Sequence, residues 1–297
     1  MPQKVKVIID GQEMLLSNLD KVLYPETGTT KGDIINYYRL IAPALMPHLK
    51  DRTISLKRYP EGVRNGYFYE KRCPPFHPDW IRTRQDELSS KKPNYCVVSD
   101  VPSLIWFVNL ASLELHPFLH REDGSPTMVM FDLDPGPPAG LTEAGRIALM
   151  LRNLFDRLGL ACFAKMSGGK GIHLAIPVNQ PSTYEITKQF ARSVARTMES
   201  NMPDIVVSNM SKSLRVGKVL IDWSQNDRHK TTVSVYSLRA TAAPVVSAPV
   251  TWEELDNAVR RDTVRELLFT PEQVLRRVAE RGDLFSGVAD LQQRLPV

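Results

Sequence analysis

Residues 127–138 read TMVMFDLDPGPP, and the fold is decided in this stretch. Five apolar residues crowd a segment that the Pro-Gly-Pro-Pro run then breaks, which predicts a strand over 127–134. Side chains two apart on a strand leave by the same face, so the carboxylates of Asp132 and Asp134 project together. Pro135 and Gly136 end the strand and put the pair at a sheet edge open to solvent. Next comes an amphipathic helix over 141–158, with Ile147, Leu151, Leu154, Phe155 and Leu158 toward the core and Gly159 as its stop. Segments 161–166 and 171–178 read as strands joined by Ser-Gly-Gly-Lys, a hairpin. A second helix spans 183–200 through Ile186, Phe190, Val194 and Met198, and two further strands are expected at 219–223 and 232–236.

Upstream, KVKVIID (4–10) alternates as a half-buried strand does, and Asp10-Gly11 marks a hairpin turn. Residues 30–45 read as a helix with Ile34, Ile35, Tyr38, Ile41 and Ala42 on one stripe. Short strands are expected at 53–59 and 66–69, on either side of the turn PEGVRNG. Residues 73–92, broken by Pro74, Pro75 and Pro78, form a long surface loop. Downstream, 252–268 and 271–281 are helical. The order strand, helix, hairpin, helix, strands gives an α+β class with antiparallel sheets.

The 297 residues are 42% hydrophobic, enough for one large core or two intimate lobes, and no repeat or low-complexity run intervenes. No apolar run approaches the roughly 18 residues that span a membrane, which leads to the expectation of a cytoplasmic protein. Cys73, Cys96 and Cys162 are odd in number and far apart, fitting reduced thiols rather than a disulfide framework. A formal charge of +5 favours an anionic partner. Between 208 and 239, six basic residues face two acids, one of which is Asp222.

Asp222 sits inside VLIDW, an apolar strand where a lone acid is neutralised, paired or bound to metal. Brought to Asp132 and Asp134, it would complete a site for two Mg²⁺ or Mn²⁺ ions of the kind used in phosphoryl transfer. The alternatives are two solvent-facing acids at 132 and 134, and an Asp222 pointing to solvent or bridged to Arg215 or Lys218. In SGGKGIH, Gly168, Gly169 and Gly171 free the backbone to bring N–H groups to a phosphate, with Ser167 and Lys170 adding a hydroxyl and a charge. A plain glycine hairpin has the same pattern. His173 and His116 (in LELHP) are either phosphate contacts or satisfied core histidines. Tyr67, Phe68 and Tyr69 offer either a base-stacking face or ordinary strand packing. Lys21 and Lys31 flank a turn and either reach a phosphate or lie solvated.

These pieces together resemble the polymerase domain of bacterial ligase D, in the archaeo-eukaryotic primase superfamily. The resemblance runs through almost the whole chain: SNLDKVLYP, SLKRYPEGV, YFYEK, LELHP, MVMFDLDPG, SGGKGIHL, KSLRVGKVLIDWSQN, VYSLRA and VSAPVTWEEL. It implies a primase fold with an RRM-like catalytic core flanked by helices. One domain over 1–297 is expected, with an N-terminal lobe to about residue 125, a core over about 126–240 and a helical segment over about 241–297.

The resemblance also implies roles. Asp132, Asp134 and Asp222 match the metal-binding carboxylates. Ser167, Lys170, His173, Lys57, Arg239 and His116 match triphosphate contacts, and Gln225 a further nucleotide-site position. Asn18, Lys21 and Lys31 match the pocket that grips a downstream 5′-phosphate. Phe68 and Tyr69 match an aromatic pair near base and template, Tyr69 standing where phenylalanine is more usual. Residues 82–92 match a loop used in synapsis of two DNA ends. Residues 209–215 match a mobile loop that helps set up catalysis, with Arg215 its key charge.

The activity so implied is template-directed addition of nucleotides, ribonucleotides preferred, to primer 3′ ends at double-strand breaks and short gaps. The implied partners are 5′-phosphorylated DNA, NTP or dNTP, Ku and a separate ATP-dependent ligase. The chain carries no K-x-D-G ligase motif, which leads to the expectation of a stand-alone, nucleoid-associated monomer that pairs transiently across a break. The competing readings are a primase, a non-catalytic DNA-end-bridging protein, and a sugar-nucleotide transferase, which would leave Lys21 and Lys31 unexplained.

Overall fold

The alternation KVKVII forms β1 (Lys4–Ile9), which pairs antiparallel with β2 (Gln12–Ser17). The turn between them puts Asp10 and Gly11 at φ 46° and 81°, the left-handed pair that a tight hairpin demands. The computed structural model of the protein describes residues 4–87 and 89–296. The chain divides into two compact units. The first comprises the chain up to Phe118 with Thr231–Val246 and Thr270–Gly282; the second comprises Leu119–Lys230, Ser247–Phe269 and the chain from Asp283 on.

In the first unit, β3 (Val22–Tyr24) and β4 (Thr29–Thr30) lead into α1 (Lys31–Leu49). Thr30 caps that helix by accepting from the Asp33 N–H, and Asp33 returns the favour to the Thr30 N–H. All five residues of the expected stripe are buried, but the helix runs four residues past the expected end, through Pro43 and Pro47. Beside it β5 (Arg52–Arg58) is central: β9 (Ser112–Pro117) pairs along one edge, while β6 (Phe68–Glu70) and β8 (Asn94–Val98) share the other. β7 (Thr83–Gln85) pairs with β8, and α2 (Val101–Asn109) covers the sheet's approach to β9.

Two expectations for this unit change. The stretch 73–92 is not free loop throughout, since β7 interrupts it. Cys73 and Cys96 form a disulfide, their Cα atoms 4.7 Å apart, and only Cys162 stays a free, buried thiol. Sequence spacing concealed the pairing because the backbone bond from Cys73 N to Asn94 O, 2.8 Å, brings the two together only once β8 is laid down.

In the second unit, β10 (Met128–Pro135), α3 (Leu141–Arg157), β11 (Phe163–Met166), β12 (Ile172–Pro177), α4 (Tyr184–Asn201) and β14 (Val219–Asp222) follow the expected order, with an unexpected short strand, β13 (Val206–Val207), before β14. With a late strand, Pro249–Val250, they form a six-stranded sheet with β14 and β12 flanking β10, both antiparallel to it. The strand period splits the sheet cleanly. Val129, Phe131, Leu133, Ile172, Leu174, Ile176, Val219 and Ile221 join one buried cluster with Ile147, Leu151 and Phe155 of α3 and Phe190 and Val194 of α4. Leu158 and Ile186, expected on those helix stripes, are exposed instead, because α3 ends at Arg157 and Ile186 lies in the first turn of α4.

The chain then returns to the first unit. Segment 232–236 makes no strand ladder there; it bonds to β9 at alternate residues, Thr232 N to Pro117 O at 3.2 Å and Ser234 N to Leu115 O at 2.9 Å. β15 (Leu238–Arg239) pairs with β16 (Val245–Val246), ahead of the Pro249–Val250 strand (β17) of the second unit. The helix expected over 252–268 is two elements, α5 (Trp252–Arg261) and a 3₁₀ turn Val264–Leu267, divided at Asp262 with φ 57°. α6 (Pro271–Arg281) matches its expected bounds, and α7 (Gly287–Asp290) follows. Among the described residues no helix is long and apolar enough to cross a membrane.

Candidate active site

The face of the second sheet opposite its core carries the polar residues. Register places Asp222 of β14 opposite Asp132 of β10, Asp132 opposite His173 of β12, and His173 opposite Lys165 of β11. Directly opposed residues of antiparallel strands share a face with Cβ atoms about 4.5–5.5 Å apart, so these four side chains form one row. Asp134 stands two residues along on the same face. His173 Nε2 lies 3.2 Å from Asp132 Oδ1.

Asp222 is held from below: its Oδ1 accepts from Ser224 N at 2.8 Å and Ser224 Oγ at 2.6 Å, and its Oδ2 accepts from Gln225 Nε2 at 3.1 Å. Gln225 therefore meets the site through Asp222. Neither suggested cation bridges to Asp222; Arg215 Nη2 donates to Met210 O and Lys218 Nζ to Pro203 O. Among the described residues no three His, Cys, Asp or Glu side chains are arranged to enclose an ion by themselves. An open, oxygen-only edge of this kind suits a hard cation such as Mg²⁺ or Mn²⁺, which completes its shell with water and substrate phosphate.

The SGGKG hairpin lies against this edge. Ser167 Oγ accepts from Gly169 N at 3.3 Å and Gly171 N at 3.2 Å, so the serine braces its own loop. Gly168 takes a positive φ of 74°. Gly171 is required by space: a Cβ there would stand 2.5 Å from Leu133 O and 3.3 Å from Asp134 Oδ1. Lys170 is exposed at the tip. Lys165 escaped the sequence reading. Almost fully buried, it donates to Ser247 Oγ at 2.7 Å, and its only sequence signal was its even spacing from the glycine loop.

Lys57, His116 and Arg239 belong to the first unit, gathered around a residue that sequence reading passed over, Glu114. Its carboxylate lies 3.0 Å from His116 Nε2, 3.3 Å from Lys57 Nζ and 3.6 Å from Arg239 Nε, and accepts from Ala240 N at 3.2 Å. Burial pushes the Glu114 carboxyl up, but the His116 hydrogen bond and the charges of Arg239, His116 and Lys57 outweigh it and hold it at about 2. Burial lowers the His116 pKa, and Glu114 only partly offsets that. Three buried tyrosines deliver Arg239 to this cluster. Tyr24 donates to Arg239 O at 2.9 Å, Tyr37 to Tyr236 O at 2.8 Å, and Tyr38 accepts from Leu238 N at 2.9 Å.

Phe68 and Tyr69, adjacent on β6, face opposite ways. Tyr69 packs edge-on to His116 at 5.8 Å, whereas Phe68 lies over the Arg58 guanidinium at 4.9 Å. Tyr67 supplies the ring nearest Lys57, 4.0 Å from the ammonium.

Asn18, Lys21 and Lys31 come together at the start of α1. Asn18, at φ 54°, turns the chain and accepts from Lys21 N at 3.1 Å, and Lys31 N donates to Lys21 O at 2.8 Å. Lys21 pairs with Glu61 at 2.8 Å. Lys31 is buried, its ammonium donating to Ser17 O at 2.6 Å. Burial, then the charges of Arg58 and Lys21, lower its pKa to about 8. The solvated reading fails for Lys31. Arg58, unnoticed in SLKRYPEGV, is the third cation of this group. In the segment 82–92, of which residue 88 lies outside the described residues, Arg82 pairs with Asp51 at 2.9 Å and Lys92 with Glu87 at 2.8 Å.

Residues 30–285 match the model of the LigD primase-polymerase domain. The chain belongs to this family. It is 39% identical over 279 residues to the multifunctional non-homologous end joining protein LigD of Mycolicibacterium smegmatis, covering 93% of this chain and 36% of that protein. It is 30% identical over 272 residues to the bifunctional non-homologous end joining protein LigD of Bacillus subtilis, covering 91% of this chain and 43% of the relative. The chain thus spans well under half the length of these relatives. The polymerase domain from Mycobacterium tuberculosis ligase D in complex with DNA superposes with a TM-score of 0.86 at 38% identity, over 92% of this chain and 97% of that one. The α+β fold with antiparallel sheets is therefore that of the LigD polymerase domain, in the archaeo-eukaryotic primase class.

Proposed function

We propose that this chain is a nucleotidyl transferase of non-homologous end joining. As one primase-polymerase domain it adds nucleotides, ribonucleotides in preference, to a primer 3′-hydroxyl at breaks and short gaps bearing a downstream 5′-phosphate. The observation that carries the reading is the cross-strand pair Asp132 and Asp222, with Asp134 on the same face and Gly171 seating the SGGKG hairpin against it. Family membership gives that geometry its chemical context.

Two divalent cations, Mn²⁺ or Mg²⁺, held by Asp132, Asp134 and Asp222, would lower the pKa of the attacking hydroxyl and steady the triphosphate. The residues of the chain do the rest. Asp222 keeps its orientation through Ser224 and Gln225. His173 steadies Asp132 and faces the phosphates, while Lys170, exposed at the hairpin tip, offsets charge on the departing pyrophosphate. Lys57, His116 and Arg239 contact the nucleotide, pre-oriented by Glu114. Lys31, with Asn18 and Lys21, grips the 5′-phosphate, and Phe68 and Tyr69 stack at base and template. Ku and an ATP-dependent ligase activity act with it, and residues 82–92 serve synapsis.

The test is extension on a 5′-phosphorylated gapped duplex with Mn²⁺ or Mg²⁺ and each nucleotide class. Incorporation that requires metal, prefers NTP and falls without the 5′-phosphate is expected. Equal use of NTP and dNTP would remove the ribose preference, and incorporation without a primer would favour the primase reading. DNA-end binding with no incorporation would leave only the bridging role.

A further inference from the structure

The loop that carries Arg215 is strapped at both ends to residues adjoining the acidic strands. At its entry, Trp223, the residue after Asp222, donates its indole N–H to Ser208 O at 3.1 Å. At its exit, Gly136, two residues after Asp134, donates to Lys218 O at 2.8 Å, and its own carbonyl accepts from Gly217 N at 3.0 Å. A parallel bridge joins Gly136 to Val216. Only glycine fits at 136, because an added Cβ would collide with the Arg215 carbonyl oxygen and lie 2.7 Å from its carbon.

Between the straps, Arg215 is folded back on its loop. Its Nη2 donates to Met210 O at 2.8 Å, while its Nε is buried without a hydrogen-bond partner. A buried guanidinium N–H in that condition carries a desolvation cost which a phosphate oxygen relieves.

We infer that Gly136 and Trp223 are positioning residues that set Arg215 relative to Asp134 and Asp222. This rests on the polymerase reading for its catalytic consequence, and on the straps alone for its structural one. Backbone hydrogen bonds at one end and an indole at the other transmit any shift of the acidic strands to the loop, and an error of about 1 Å in such a group costs up to roughly a hundredfold in rate.

The test is a double-mutant cycle in Mn²⁺-dependent gap filling by the full chain. Gly136→Ala lowers kcat about tenfold or more and Trp223→Phe about threefold, with the half-saturating Mn²⁺ concentration unchanged. In an Arg215→Ala background neither substitution lowers kcat further. Additive losses, weakened Mn²⁺ dependence or an unaltered kcat would each overturn the inference. Should Gly136→Ala not fold, the Trp223→Phe cycle decides. Amide hydrogen exchange provides a readout independent of activity: both variants speed exchange over 209–217 and leave 163–177 as in the unaltered chain. An inactive unaltered chain would sink the polymerase reading, whereas exchange that stays slow in both variants would sink the straps.

Discussion

The carboxylate row of the second unit and the cation cluster of the first are built by the same device and balanced in opposite ways. Both arise where antiparallel register sets chemically active side chains opposite one another: Asp132 with Asp222 in one, Lys57 with Glu114 in the other. The cluster brings its own counter-ion, since the Glu114 carboxylate sits against Lys57 and Arg239 and bonds to His116 from within. The row stacks two acids side by side and offers them His173 and Lys165 farther along. A site that carries its own counter-ion holds its shape before anything binds. A site that holds like charges together sacrifices some stability for affinity toward an external cation.

That contrast breaks most visibly in activity. Asp132→Asn should reduce metal-dependent incorporation about a thousandfold or more, while the unfolding free energy in urea stays within about 1 kcal/mol, because a like-charge neighbour is relieved. A large loss of stability would mean that the row is structural.

Glu114→Gln should do the reverse. Removing the buried anion from two partly buried cations, Lys57 and Arg239, costs about 3 kcal/mol of stability, measurable by urea unfolding at neutral pH. Titration of the unaltered chain sharpens the same point. The Glu114 carboxyl is depressed to about 2 from 4.5. Its contribution is therefore complete above about pH 4.5 and lost as pH falls toward 2, a decline on the order of 3 kcal/mol that Glu114→Gln should lack. An identical acid limb in both proteins would remove Glu114 from the centre of the cluster.

The smallest effect is expected at Lys31, a buried cation that donates to a backbone carbonyl, Ser17 O, rather than to a carboxylate. Its pKa near 8 means that it loses charge between pH 7 and 9. Because the folded state holds that proton less tightly than the unfolded chain, stability rises with pH across this window while the grip on phosphate weakens. Preference for a 5′-phosphorylated over a 5′-hydroxyl end should fall about tenfold by fluorescence anisotropy. Lys31→Arg, which cannot deprotonate here, should flatten that pH dependence. A wild-type preference independent of pH would assign the phosphate to other residues.

Much of the second unit was legible because its elements are periodic and contiguous in sequence. TMVMFDLD is an apolar run whose end, FDLD, alternates; its helices carry 3.6-residue stripes, and the glycine loop announces its hairpin. The first unit was less so. α2 escaped because VPSLIWFVN is almost wholly apolar and shows no period, being buried on nearly every side, whereas in β9 SLELHP alternates but buries its polar residues along with its leucines. Thr232–Tyr236 alternates like a strand yet makes none: it donates two bonds to β9 beside one isolated bridge, Phe118 with Thr231, and the Leu115 N–H turns instead to Ser237 Oγ. Cys73 and Cys96 looked unpaired for want of any local pattern.

By itself the sequence determined which side chains lie near one another when they share one strand or one loop: Asp132 with Asp134, and Ser167, Lys170 and His173 along one hairpin. Periodicity suffices there, because chain geometry leaves the alternating faces no freedom. Only the tertiary structure decided that Asp222 lies across from Asp132, that Glu114 draws Arg239 from 125 residues away, and that Gly136 must be bare to admit the Arg215 loop. Those are matters of register and of close backbone approach, and both are settled by packing between distant segments rather than by any local preference of the chain.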